Sequence, residues 1–131
     1  VFGTLHTNNA RKTVDRIIDV FPADRQPQIR TMLASSLRGV VAQLLLKRAD
    51  GKGRVASFEV LVATSAVAAV IREGKTEKLT DVLIGGKNEG MQVMDDAIMQ
   101  LMMDEMITPE EASMKATEKA RFDPYLEKEA A

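Results

Sequence analysis

The first ten residues constrain the fold of this chain more than any other stretch. Val1-Phe2-Gly3-Thr4-Leu5 is short, apolar and β-prone, and it runs into polar residues able to cap a helix. The only histidine, His6, stands at that junction. A strand must pair to satisfy its backbone N–H and C=O groups, so a buried strand here requires a sheet with other members. With no initiator Met before it, the chain reads as a fragment whose partner strands lie upstream. In an open α/β sheet, ligands bind just outside the carboxyl ends of strands, which is the position of His6. Imidazole titrates near neutrality and can sense a ligand's charge. A structural histidine beside a strand end is the commoner case for an isolated residue.

The rest of the chain sorts into short elements. Asn8 or Asn9 can cap a helix to about Asp19 with Val14, Ile17 and Ile18 as its apolar stripe, and Pro22 ends it. A second helix spans Asp24 to Arg38, with Pro27 in its first turn and Ile29, Met32, Leu33 and Leu37 on its buried face. Two β-prone runs, 40–47 and 54–62, flank the turn Ala49-Asp50-Gly51-Lys52-Gly53 and predict a hairpin. Glu59, a charge in its apolar second strand, reads as an exposed position or an ion pair with Arg54 or Lys47, with a nucleotide-site carboxylate as the less favoured functional alternative. Beyond it the pattern is helical. Ser65 caps a helix over 66–73 that ends at Gly74, a short helix covers 76–84, and a longer one follows Gly90 to Met106. Thr108-Pro109-Glu110-Glu111 starts the last, to about Lys119, with Glu111 reaching back to its cap. Early strands with helices, then helices alone, predict an α/β part followed by an all-α part.

Composition narrows the functional classes. At 131 residues the chain is one domain's worth, able to bury roughly two-thirds of its unfolded surface. Eighteen basic and 19 acidic side chains nearly cancel, so no global field recruits nucleic acid or an anionic membrane. The absence of cysteine excludes disulfides and thiolate chemistry, and with one histidine no zinc site is expected. Asp95-Asp96 and Asp104-Glu105 are adjacent on a helix and diverge by ~100°, so without outside ligands neither makes a natural acid/base pair or metal site, and both read as a solvated face. No Gly-x-Ser-x-Gly elbow accompanies His6. No apolar run approaches the ~20 residues needed to span a bilayer, and the chain reads as soluble and intracellular.

The segment Gly3-Thr4-Leu5-His6-Thr7 resembles the histidine box of the secretion-ATPase superfamily, the hexameric motors of type IV pili and type II secretion. Its continuation, Lys12-Thr13-Val14-Asp15-Arg16-Ile17-Ile18-Asp19-Val20-Phe21-Pro22, is most similar to the PilT branch, the retraction motors. Arg30 to Leu37, Ala66 to Lys75 and Gly90 to Asp95 agree in order and spacing. The resemblance covers the chain to about Ala120. It implies the C-terminal half of a PilT-like ATPase: an α/β remnant of a RecA-like P-loop core over 1–64 (N-terminal strand, helices, hairpin), followed by an all-α subdomain over 65–131.

What the resemblance implies for the site is specific. His6 is the catalytic residue, sensing the γ-phosphate, with Thr4 and Thr7 contacting nucleotide. Arg16, Arg72 and Glu73 are interaction residues; a plainer role for Arg16 is pairing with neighbouring acids. ATP and Mg²⁺ are the cofactors of the full-length protein, with none bound to this fragment and no metal held by it. The partners are a homo-hexamer and an inner-membrane pilus platform protein, and the location is cytoplasmic, peripheral at that membrane. Arg72 and Glu73 match the family's surface motif Ala-Ile-Arg-Asn-Leu-Ile-Arg-Glu, but Ala68 and Ala69 replace its first Arg and its Asn, and alanine offers no guanidinium fork.

The phosphate-binding glycine loop is absent. Gly74-Lys75-Thr76 lacks the glycine five residues earlier (Ala69), and Gly85-Gly86-Lys87-Asn88 lacks both that glycine and the hydroxyl residue. The fragment alone is therefore expected to be inactive. Two alternatives stand beside retraction. One is the same fragment of an extension or type II secretion ATPase. The other is a non-catalytic helical module binding through the Met-rich helix, on which Met99, Met103 and Met106 lie partly off the core stripe Met91, Met94, Ile98, Leu101 and Met102.

Overall fold

A computed structural model describes residues 1–130, and their side chains as far as Leu126. Ala131, the last residue of the expected helical subdomain, lies outside the described residues. The chain forms α1 (Ala10–Asp19), α2 (Gln26–Ser36), β1 (Gly39–Lys47), β2 (Arg54–Val62), α3 (Ser65–Arg72), α4 (Leu79–Gly85), α5 (Met94–Met103), α6 (Pro109–Lys115) and α7 (Asp123–Ala130), with 3₁₀ turns at Thr76–Lys78, Lys87–Glu89 and Lys119–Phe122. The two strands make an antiparallel hairpin in which Arg48 pairs with Gly53 and Arg38 with Ala63. The chain divides into two compact units, residues 1–42 with 59–93, and residues 43–58 with 94–131.

Residues 1–9 form no strand. A strand exists only as a member of a ladder, and among the described residues none lies alongside Val1 to Leu5. Val1 and Phe2 are accordingly fully exposed.

The first unit is built on helix faces at i, i+4 spacing. Ala10, Val14 and Ile18 of α1, Val67 and Ile71 of α3, and Leu79 and Leu83 of α4 are buried in one core with Val40, Leu61, Met91 and Val93. Asn9 caps α1 by accepting from the Lys12 N–H at 2.8 Å. In α2, Ala34 takes the buried place and Met32 is 57% exposed, because Ile29, Leu33 and Leu37 already point inward. Thr64, not Ser65, caps α3, its hydroxyl accepting from Val67 N–H. Gly74 ends that helix with φ +72, a conformation that glycine adopts without a Cβ penalty. The expected helix after Gly90 starts late, at Met94. Gln92 is taken instead by an antiparallel bridge to Val60, with N–H···O distances of 2.9 and 3.0 Å.

Glu59 is 6% exposed, which excludes the exposed position read from the sequence. Its carboxylate accepts the backbone N–H of Ala10, the first residue of α1, 49 residues away. Helix N-termini leave four N–H groups without helical partners and carry a partial positive charge, so a carboxylate there satisfies both.

The second unit has its own core of Leu46, Met94, Ile98, Met102, Ile107, Ala112, Ala116 and Phe122. In the hairpin turn, Gly51 and Gly53 adopt φ +72 and +101, and Asp50 accepts from Lys52 N–H. Thr108 caps α6 as expected, accepting from Glu111 N–H at 3.2 Å. The carboxylate of Glu111 is used elsewhere: it accepts the Lys47 backbone N–H of the hairpin at 3.1 Å. Helix α6 stops at Lys115, short of Lys119, because Asp95, which is buried and not on a solvated face, accepts the N–H groups of Thr117 and Glu118, each at 2.9 Å. A further turn and helix, Lys119–Phe122 and Asp123–Ala130, continue the chain, and Phe122 is fully buried.

Two substitutions test these clamps. Asp95→Ala removes the charged acceptor of two part-buried backbone N–H groups and is expected to cost about 1.5–3 kcal/mol, with Asp95→Asn recovering part. Glu59→Ala is expected to cost a similar ~1.5–3 kcal/mol through α1, with Glu59→Gln retaining an acceptor. Urea denaturation reads both, and unchanged midpoints for the alanine variants would show that these carboxylates hold nothing.

Candidate functional site

The site residues that the resemblance implies all fall in the first unit, whereas Met99, Met103 and Met106 belong to the second. Thr4 and His6 are exposed in the irregular segment before α1, and Thr7 is half-buried. That segment is tied to α1 by two contacts. The guanidinium of Arg16, one residue beyond the middle of the helix, donates to the His6 carbonyl at 3.1 Å. The hydroxyls of Thr7 and Thr13 lie 2.6 Å apart. Since the Thr13 hydroxyl donates to the Asn9 carbonyl at 2.9 Å, its single proton is used and Thr7 is the donor in the pair.

This wiring limits what each group can offer a ligand. His6 is exposed, and Arg16 holds its backbone carbonyl. The Thr7 hydroxyl proton is committed to Thr13, while no acceptor among the described residues takes the Thr7 backbone N–H. The start of α1, which would otherwise attract an anion, is partly taken: Ala10 N–H goes to Glu59 and Lys12 N–H to the Asn9 side chain, while Thr13 N–H makes the first helical bond, to the Asn9 carbonyl.

Arg16 therefore belongs with His6 and Thr7, and its observed partner is a backbone carbonyl, not a neighbouring acid. Arg72 and Glu73 are placed elsewhere, exposed at the end of α3. Glu73 pairs with Lys75 at 3.9 Å, both more than half exposed, a contact of little energetic weight. Ala68 packs half-buried against the first core, so the position of the motif's first arginine serves packing in this chain.

Two partnerships escaped the sequence. The inward parity of Glu59 with Leu61 in β2 marks it as buried, but nothing local names α1 as its partner. Thr76, 8% exposed, donates its hydroxyl to Asp15 of α1 at 2.6 Å across 61 residues. A shallow cavity of about 240 Å³ is lined by Thr64, Ala66, Val82, Gly85, Gly86, Glu89 and Met91, and none of the sequence-selected site residues lines it. No cluster of metal-ligating side chains occurs among the described residues. No helix among them is long and apolar enough to cross a membrane.

Comparison with known proteins agrees with the resemblance in the sequence. The chain is 51% identical over 116 residues to the twitching motility protein of Neisseria gonorrhoeae, covering 88% of the chain and 31% of that protein. It is 42% identical over 116 residues to the type IV pilus retraction ATPase PilT of Pseudomonas aeruginosa, covering 88% of the chain and 33% of that protein. Among solved structures, the pilus retraction motor PilT with bound ADP matches with a TM-score of 0.81 at 34% identity, over 95% of this chain and 34% of that one. The Legionella pneumophila ATPase DotB matches in fold, with a TM-score of 0.67 at 20% identity over 83% of this chain and 29% of its own. No family model matches the chain. In sequence and in fold the chain belongs to the PilT-like family, and it spans about a third of the length of the relatives it matches.

Proposed function

We propose that this chain works as part of a hexameric motor ATPase that couples ATP hydrolysis to pilus retraction. The observation that carries the reading is the match to a retraction ATPase at 42% identity, together with the 0.81 TM-score against a retraction motor that binds ADP. In this reading, residues 1–64 are the end of a RecA-like core and 65–131 the helical subdomain. His6 stands beside the γ-phosphate of ATP, with Mg²⁺ held by groups outside this chain. Its ring donates a hydrogen bond whose partner is lost on hydrolysis and release, which gives nucleotide-bound and empty states different contacts.

Arg16 fixes the His6 backbone, which leaves the ring free to turn toward nucleotide. Thr7 contributes its amide, since its hydroxyl is engaged with Thr13. Thr4, exposed one turn of chain earlier, contacts nucleotide from the same segment. Arg72 and Glu73 carry the surface role at the far end of α3, toward a neighbouring subunit or the inner-membrane platform protein, and the motor acts on the cytoplasmic side of that membrane. The phosphate cradle that the sequence lacks must come from elsewhere in such a motor, so the chain alone neither binds ATP tightly nor turns it over.

Two measurements test the reading. Titration of the purified chain with a fluorescent ATP analogue and Mg²⁺ is expected to give no saturable signal and no hydrolysis. Saturation with turnover would mean that a complete nucleotide site lies within these residues. In the complete protein, His6→Ala is expected to lower kcat by about tenfold or more, the scale of one lost hydrogen bond to a charged group, with the fold intact. Equal turnover in mutant and parent would remove His6 from the mechanism.

A further inference from the structure

Thr76 is out of place for a surface turn residue. It opens the 3₁₀ turn Thr76–Lys78, two residues past the left-handed Gly74, and it is 8% exposed. A buried hydroxyl in a turn is commonly satisfied by a nearby backbone group. Here it crosses 61 residues to the Oδ1 of Asp15 on α1, and the 2.6 Å separation lies within the range of a charge-assisted O–H···O⁻ bond. The other partner of Asp15, Arg11 at 3.8 Å, is half-exposed and screened, so Thr76 is the closer and drier contact.

The two ends of this bond lead to two functional groups of residues. Asp15 is followed directly by Arg16, whose guanidinium holds the His6 carbonyl. On the other side, Gly74 N–H bonds to the Ile71 carbonyl and Lys75 N–H to the Val70 carbonyl, each at 3.1 Å. Those bonds join Thr76 to the end of α3 that carries Arg72 and Glu73. The path from His6 through Arg16, Asp15 and Thr76 to Arg72 runs through a rigid helix and hydrogen bonds, all within the first unit. Core packing between these elements rests on Val14, Ile18, Ile71 and Leu79 and does not need the hydroxyl.

We infer that Asp15 and Thr76 are positioning residues forming a latch that couples the histidine segment to the Arg72–Glu73 end of α3. The inference rests on the functional reading above and adds the element that transmits the nucleotide state. Displacement of His6 on loss of the γ-phosphate moves α1 through Arg16, and the latch carries that movement to α3. Coupling of this kind commonly changes affinities or outputs by about 5- to 150-fold.

The test compares Thr76→Val, which keeps the shape and loses the donor, with Thr76→Ser, which keeps the donor. Both are made in the complete protein, with ATP turnover, thermal midpoint and pilus retraction measured on each. Thr76→Val is expected to keep turnover within about twofold of the parent while retraction falls about tenfold, with Thr76→Ser restoring it. Asp15→Ala is expected to behave as Thr76→Val, and the double variant no worse than either alone. Normal retraction by Thr76→Val overturns the inference. So does equal impairment of the Val and Ser variants, or a parallel fall of turnover and retraction. Should Thr76→Val fail to fold, Asp15→Asn against Asp15→Ala makes the same comparison from the acceptor side, and failure of both to fold overturns the latch as merely structural. A parent without ATP turnover overturns the functional reading and the latch together. Defects confined to coupling leave that reading standing.

Discussion

The carboxylate of Glu59 at the first N–H of α1 is the interaction on which the order of the first unit depends. It joins a strand of the hairpin to the helix that carries Asp15 and Arg16, and it does so directly after the His6–Thr7 segment. Burying a carboxylate is costly unless hydrogen bonds to the charged form compensate, and a helix N-terminus supplies donors and a favourable field together. Without that bond α1 would still have its Asn9 cap, yet its first N–H would lose its charged acceptor on β2.

The second unit uses the same device twice. Asp95 stops α6 by taking the N–H groups of Thr117 and Glu118, and Glu111 takes the N–H of Lys47. Three acidic side chains with less than a tenth of their surface exposed thus accept backbone N–H groups from distant parts of the chain. In a chain of 131 residues divided into two small cores, such clamps define chain crossings that apolar contacts alone would leave to slide. At the start of α1 an internal carboxylate already takes the first N–H. In the proposed function, recognition of a phosphate therefore falls to His6 and the amide of Thr7.

Local chemistry was legible where the partner of a residue lies within a few positions. Asn9 before α1, Gly74 after α3, Thr108 with Pro109 before α6 and the glycine turn of the hairpin all appear where spacing places them. Each is settled by backbone geometry or by a hydrogen bond three or four residues away. Legibility failed where a distant group competes. Glu111 abandons its own cap for the hairpin, Gln92 is drawn into a bridge with Val60, and α6 is cut short by Asp95. Val1 to Leu5 has every mark of a strand and is none, because ladder formation is a property of two chains of backbone and not of one.

For the site, the sequence by itself determined which residues stand together along the chain and what chemistry they can perform. A histidine segment, a helix start directly behind it, and a missing phosphate loop are all matters of order and residue type. Only the tertiary structure decided how those groups are used. It turned Arg16 to the His6 backbone, engaged the Thr7 hydroxyl with Thr13, filled the α1 terminus with Glu59 and joined Asp15 to Thr76. The last two contacts join residues 49 and 61 positions apart. Side-chain partners at such separations follow from how the helices pack, and packing depends on the whole set of apolar faces at once.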